Sequence, residues 1–233
     1  MSAIEIHQVW KFYGDYPALR NIDVRIHRGD CVALLGRNGA GKTTLLRIIA
    51  GLSRPSRGEI RVEGGAVRAP GAKRRIGILG HGIAIYDELS AYENLRLFGA
   101  IYDVPDPKRR AMEWLERTGL DRVRDGLVRE FSRGMRQRLA VARAFLHDPD
   151  VLLLDEPFTA LDDRAIAVLQ SLLKSAREQG RTILMSTHQL REALELATRV
   201  ILINRGAIGF DGDRTQQMLD EPAWLYRRYG EGG

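Results

Sequence analysis

The chain reads as an α/β fold: a mostly parallel sheet covered by helices, with a small antiparallel β subdomain and an inserted α-helical subdomain. Three observations predict it. Short continuous apolar runs recur along the chain, as in parallel strands buried on both faces. Two other segments alternate apolar and polar residues, as half-exposed antiparallel strands do. A block of helical periodicity stands between two of the apolar runs.

Taken in order, Met1 to Ile6 enters a strand-like pattern, and Ile22, Val24 and Ile26 alternate with Asp23, Arg25 and His27. Ile60 and Val62 alternate in the same way with Glu59, Arg61 and Glu63, which predicts a small outer sheet. The runs Cys31 to Leu35, Ile76 to Leu79, Val151 to Leu154, Ile183 to Met185 and Val200 to Ile203 predict the parallel sheet. Helices are expected over Tyr92 to Tyr102, Lys108 to Thr118 and Arg136 to His147, where Leu139, Ala142 and Leu146 share one face. Gly119 and Pro149 stand where two of these helices should stop. One domain over residues 1–233 is expected, with a core over about 1–85 and 147–215, a helical part over about 86–146 and a short tail over 216–233.

Composition narrows the function classes. The 233 residues are 44% hydrophobic, enough for a sizeable core. No apolar run reaches the roughly eighteen residues of a membrane span, and the N-terminus lacks the charged leader and apolar core of an export signal. The single cysteine, Cys31, lies in an apolar strand, which excludes an internal disulfide or a cysteine metal cluster and suits a reducing cytosol. The net charge of +6 gathers at Lys73-Arg74-Arg75, Lys108-Arg109-Arg110 and Arg227-Arg228. These clusters carry no interleaved aromatics, so they read as solvated surface and no nucleic-acid partner is expected.

The segment Gly36-Arg37-Asn38-Gly39-Ala40-Gly41-Lys42-Thr43 fits the phosphate-loop pattern G-x-x-x-x-G-K-S/T. Glycines bring backbone N–H groups close to phosphate oxygens, Lys42 supplies a point charge, and Thr43 offers a hydroxyl to magnesium. The pattern requires a strand before and a helix after; Cys31 to Leu35 and Lys42 to Ala50 fit those places. The helix start adds its positive dipole end, so residues Gly36 through Thr44 form the expected nucleotide-binding set of a P-loop NTPase core. ATP and Mg2+ are the expected cofactors.

Val151 to Leu154 ends in Asp155 and Glu156, which puts two carboxylates at the carboxyl edge of the sheet beside the phosphates. Asp155 is expected to hold magnesium and its water shell, and Glu156 to orient or deprotonate the attacking water. His188 follows another strand after Ser186-Thr187, where its side chain reaches the γ-phosphate. The remaining histidines, His7, His27, His81 and His147, share no ligand spacing.

With those residues in place, the chain resembles the ATPase subunit of an ATP-binding-cassette transporter along nearly its whole length. The resemblance implies that Phe131-Ser132-Arg133-Gly134-Met135 is the signature segment, whose Ser132 and Gly134 cover the γ-phosphate held by the opposite subunit of a head-to-tail homodimer. It implies that Ala160-Leu161-Asp162 crosses the dimer interface, that His188 is the switch histidine, and that Tyr13 stacks on adenine. It also implies membrane-spanning partner subunits, met through the surface around Gly82 to Leu89, and a peripheral place on the cytoplasmic face of the membrane. Ile83, Ile85 and Tyr86 read there as exposed apolar contacts or as core.

Two departures from the family pattern stand out. Gly80-His81 replaces the usual glutamine after the strand Ile76 to Leu79, so His81 is either a magnesium ligand or a contact to water or the partner. Arg133 and Met135 replace a glycine and a glutamine of the signature; Arg133 must point away from phosphate or add a charge. These departures and the stretch Glu88 to Leu95 resemble the haem-exporter type found in cytochrome c maturation, although no CxxCH motif is present. Other exporters of drugs, lipids or polysaccharides share the motifs, as do soluble ATP switches acting on ribosomes or DNA. The latter usually carry a second cassette or a coiled-coil insertion, neither of which occurs here. A non-hydrolysing scaffold would not need Glu156.

Overall fold

A computed structural model describes residues 1–80 and 85–229. The strands β1 (Ser2–Tyr13) and β2 (Tyr16–His27) form a long hairpin, followed by β3 (Cys31–Leu35), α1 (Lys42–Ile49), β4 (Arg57–Val62), β5 (Gly65–Ala66) and β6 (Ile76–Leu79). Three helices come next: α2 (Ala91–Ile101), α3 (Pro107–Arg117) and α4 (Arg133–Phe145). The chain then returns through β7 (Val151–Asp155), α5 (Asp163–Glu178), β8 (Thr182–Ser186), α6 (Leu190–Leu196), β9 (Arg199–Asn204), β10 (Ala207–Asp213), α7 (Gln216–Asp220) and α8 (Trp224–Tyr229).

One sheet has the order β2-β1-β4-β5 and is antiparallel; the other has the order β10-β9-β3-β8-β7-β6. All neighbours in the second sheet are parallel except β10, which pairs antiparallel with β9 at the edge. Every residue of β3, β7 and β8 is buried, as strands covered on both faces must be. Alternate residues serve opposite layers. Val32, Leu34, Leu153, Leu184 and Ile201 pack with α1 and the antiparallel sheet, while Ala33, Leu35, Leu152, Leu154 and Met185 pack with α4, α5 and α6. Truncating a member of either layer, such as Leu154, to alanine is expected to cost about 2–5 kcal/mol.

The parallel register brings the ends of β3, β8 and β7 side by side, with Leu34 opposite Ser186 and Ser186 opposite Asp155. That carboxyl edge is where open α/β sheets hold ligands. The inserted helices stand between β6 and β7 and are tied to the sheet by two residues from the end of α4 and beyond. The Arg143 guanidinium donates to the Ile78 carbonyl (3.0 Å) and lies over the Phe98 ring (4.8 Å). His147 stacks on Tyr102 at 4.0 Å, and its Nε2 lies 3.2 Å from the Ile76 carbonyl oxygen. Burial pushes His147 down to about 4, so the ring is neutral and Nε2 carries the proton it donates.

Two expectations need correction. Helix α4 begins at Arg133 and not Arg136, because the Ser132 hydroxyl accepts from the Met135 N–H (3.2 Å) and caps it. It ends at Phe145, short of His147, as Asp148 turns left-handed at φ 55°. Ile85 is half-buried against the helical layer, whereas Tyr86 is 45% exposed and stacks on Phe98 at 6.0 Å. The expectations for His81, Gly82 and Ile83 lie outside the described residues.

Candidate nucleotide site

Residues 36–41 join the end of β3 to the start of α1 and turn through positive φ at Gly36 (153°), Gly39 (79°) and Gly41 (110°). Two of these turns admit no side chain. A Cβ on Gly36 would sit 2.5 Å from the Ile203 carbonyl oxygen, and one on Gly41 would sit 2.7 Å from the Ala18 oxygen and the Leu19 methyl. Gly41 is the N-cap of α1 and brings no side-chain acceptor, while Ser90, Asp106, Ser132 and Asp162 cap α2, α3, α4 and α5. The first N–H groups of α1 thus face the loop with the helix dipole behind them and no side chain to accept from them, which fits a phosphate.

Lys42 is 7% exposed and donates from Nζ to the Gly36 carbonyl (2.7 Å) and the Arg37 carbonyl (3.2 Å). Burial lowers its pKa from the usual lysine value, and the nearby Glu156 and Asp155 carboxylates pull it back up. The ammonium is held by neutral oxygens alone, so a phosphate presented across the loop is a better partner than the two carbonyls.

Beside it, the Thr43 hydroxyl donates to Asp155 Oδ2 (2.8 Å), and the Ser186 hydroxyl donates to Oδ1. A carboxylate and a hydroxyl in contact at the foot of a phosphate cradle are the hard oxygens magnesium prefers. Among the described residues no group of three or more His, Cys, Asp or Glu side chains forms a metal cage.

Glu156 adopts φ 53°, a left-handed conformation uncommon for a side-chain-bearing residue, and its N–H donates to the Ser186 carbonyl (2.8 Å). The turn points its carboxylate at His188: Oε2 lies 2.8 Å from Nδ1 and accepts from the His188 backbone N–H at 3.2 Å. The carboxylate is largely shielded, 17% exposed, while the imidazole is 64% exposed. A carboxylate held in place by an imidazole can serve as a base towards a water molecule.

Tyr13 and Tyr16 face each other across the end of the β1–β2 hairpin, 52% and 60% exposed, and Lys11 Nζ lies 5.1 Å from the Tyr13 ring centre. Both tyrosines line one open cleft of about 430 Å³ with Ala18, residues Asn38 through Thr44, Asp155 and Glu156. Sequence reasoning missed Tyr16, although the strand turn that makes it Tyr13's partner is visible as Gly14-Asp15. It also missed Tyr226 of α8, whose hydroxyl accepts from the Gly36 N–H at 3.1 Å.

Three expected contacts stand apart from this cleft. Ser132 is exposed at the start of α4, Gly134 lies one residue into that helix against the Ala160 carbonyl, and Asp162 caps α5 by accepting from the Ala165 N–H (2.8 Å). None of the three lines the cleft of its own chain. Arg133 is exposed and lines a neighbouring hollow with Gly80, Asp155 and Glu156.

Strand, glycine loop, uncapped helix, buried strand-end aspartate and glutamate–histidine pair together define a P-loop ATPase fold built to hold a nucleoside triphosphate. The family model described as ABC transporter matches residues 19–159; the chain belongs to that family and is an ABC ATPase domain. It is 40% identical over 209 residues to Nod factor export ATP-binding protein I of Cupriavidus pinatubonensis, covering 88% of this chain and 64% of that protein's length. It is 40% identical over 200 residues to ABC transporter ATP-binding protein NatA of Bacillus subtilis, covering 84% of this chain and 81% of that protein. Among solved structures it resembles a dimeric ATP-binding cassette in a post-hydrolysis state bound to ADP and Pi, at TM-score 0.85 and 27% identity, over 91% of this chain and 99% of that chain.

Proposed function

We propose that residues 1–233 act as the ATP-binding and ATP-hydrolysing subunit of a membrane exporter, working as a head-to-tail homodimer. The observation that carries this reading is the Glu156–His188 pair, 2.8 Å apart, beside the Thr43–Asp155 pair, 2.8 Å apart, at adjoining strand ends. The first pair orients and deprotonates a water for attack on the γ-phosphate. The second would hold magnesium, which supplies neutralising charge on the phosphates when bound. Lys42 and the first N–H groups of α1 bind the phosphates, Tyr13 stacks on the base, and Ser132 and Gly134 of a second copy close over the γ-phosphate. Asp162 lies between the copies.

Closing two copies on two nucleotides and reopening them after hydrolysis moves the membrane-spanning partners through the surface that includes Tyr86 and Leu89. Among the described residues no helix is long and apolar enough to cross a membrane, so the path for cargo belongs to those partners. The name of the Cupriavidus relative supports export. Haem as cargo, expected from the subgroup resemblance, finds no support in the relatives' names, and cargo choice would lie with the membrane subunits.

The test is Glu156→Gln. ATP turnover is expected to fall by about 10²–10⁴-fold while ATP still binds. Full turnover in the variant would remove this mechanism. Co-purification with membrane subunits from detergent extracts supports the transporter reading, and co-sedimentation with ribosomes would overturn it.

A further inference from the structure

We propose that Tyr226 is a positioning residue of the phosphate loop, through which α8 sets how tightly the loop holds a nucleotide. The proposal rests on the nucleotide-site reading above. The Gly36 N–H donates to the Tyr226 hydroxyl at 3.1 Å, across 190 positions of sequence. The carbonyl of the same glycine accepts from Lys42 Nζ at 2.7 Å. Gly36 is therefore gripped on one side by the last described helix and on the other by the lysine that is to meet phosphate.

Gly36 is the residue where such a grip matters. Its φ of 153° and its contact with Ile203 leave it no side chain by which to be held, so its peptide groups are its only handles. The phenol, in turn, is anchored. Leu225 beside it is fully buried, Tyr229 packs on Phe210 at 5.0 Å and on Trp224 at 5.9 Å, and Arg227 pairs with Glu221. Burial raises the Tyr226 phenol above its usual pKa, so the hydroxyl stays neutral and able to accept. Glu156 and Arg37 both lie close enough to act on its charge.

Losing the hydroxyl leaves the Gly36 N–H unpaired and loosens the residue whose carbonyl, in the following peptide group, sets the resting place of Lys42. Tyr226→Phe keeps the ring packing and removes that bond alone. The expected result is an ATP dissociation constant raised about two- to tenfold, with kcat within about twofold and the thermal midpoint without nucleotide lowered by about 2–4 °C, as for loss of one hydrogen bond. Amide hydrogen exchange at Gly36 should accelerate in the variant, and in the wild type it should be slower than at Gly39 of the same loop.

Unchanged ATP affinity in Tyr226→Phe, with affinity lost in Lys42→Ala, would overturn the role of Tyr226 and leave the nucleotide site standing. Unchanged affinity in both variants would overturn the nucleotide-site reading itself. Gly36 and Gly39 exchanging equally fast in the wild type would overturn the proposal without any variant.

Discussion

Helices α1 and α4 both begin at a glycine-bearing segment, yet they begin in opposite ways. Gly41 leads into α1 with no side-chain acceptor, and the Lys42 ammonium is bound to loop carbonyls. Ser132 leads into α4 with its hydroxyl already accepting from Met135, and Asp162 does the same for α5. An uncapped helix start carries unpaired donors and about half a positive charge, so it gains from an anion within its own chain. A serine that has accepted one hydrogen bond keeps its own hydrogen to give outward. On the proposed reading the first segment would supply affinity in one molecule, and the second would add its hydroxyl only where another molecule presents a phosphate.

That contrast can be broken at either end. The largest effect is expected where chemistry and binding separate: Glu156→Gln loses about 10²–10⁴-fold in turnover but keeps ATP affinity, read by single-turnover kinetics and titration. If binding fell with turnover, the carboxylate would belong to the cradle and not to water activation. Next comes the junction that carries α4. His147 falls from an ordinary 6.5 to about 4 because its charged form is disfavoured by burial. Its stabilising contribution is therefore fully present above about pH 6.5 and is lost as pH falls towards 4, by about 3 kcal/mol in all. Denaturant melts at pH 7.5 and 4.5 should show a shallower acid loss in His147→Gln; identical slopes would show that the ring is not buried neutral.

At the open end, Lys42→Ala removes a charge-assisted contact and is expected to weaken ATP by about 10–100-fold in an isothermal titration. Undiminished affinity would deny the loop its role. At the capped end, Ser132→Ala is expected to cost about 1 kcal/mol of stability through the lost cap, with ATP affinity of the single chain unchanged and turnover lowered. A drop in single-chain affinity would instead put Ser132 in its own chain's cleft. The smallest effect is at Cys31, whose thiol burial pushes up to about 12: a thiol reagent should label it only after unfolding.

Much of this was legible in the sequence because the signals were local. Buried strands show as unbroken apolar runs, and the phosphate loop, Asp155 and Glu156 follow their strands directly, so position along the chain implies position in space. The start of α4 was read three residues late because Gly134 is a weak helix former and the deciding bond comes from the Ser132 side chain. Strand β10 went unseen since Gly209, Asp211, Gly212 and Asp213 leave Ile208 and Phe210 as its only large apolar residues; its pairing with β9 makes it a strand. Tyr226 could not be found at all, because its meeting with Gly36 is a product of tertiary folding across 190 positions. No motif encodes a contact of that kind.

The central claim is that a triphosphate is held between the loop of one molecule and the Ser132–Gly134 segment of a second. Small-angle scattering of Glu156→Gln with saturating ATP and magnesium tests it most directly. The account predicts that the scattering mass doubles on adding nucleotide and that Lys42→Ala or Ser132→Glu in the same background abolishes the doubling. A single-chain mass at saturation, with ATP binding verified by titration on the same sample, would contradict it.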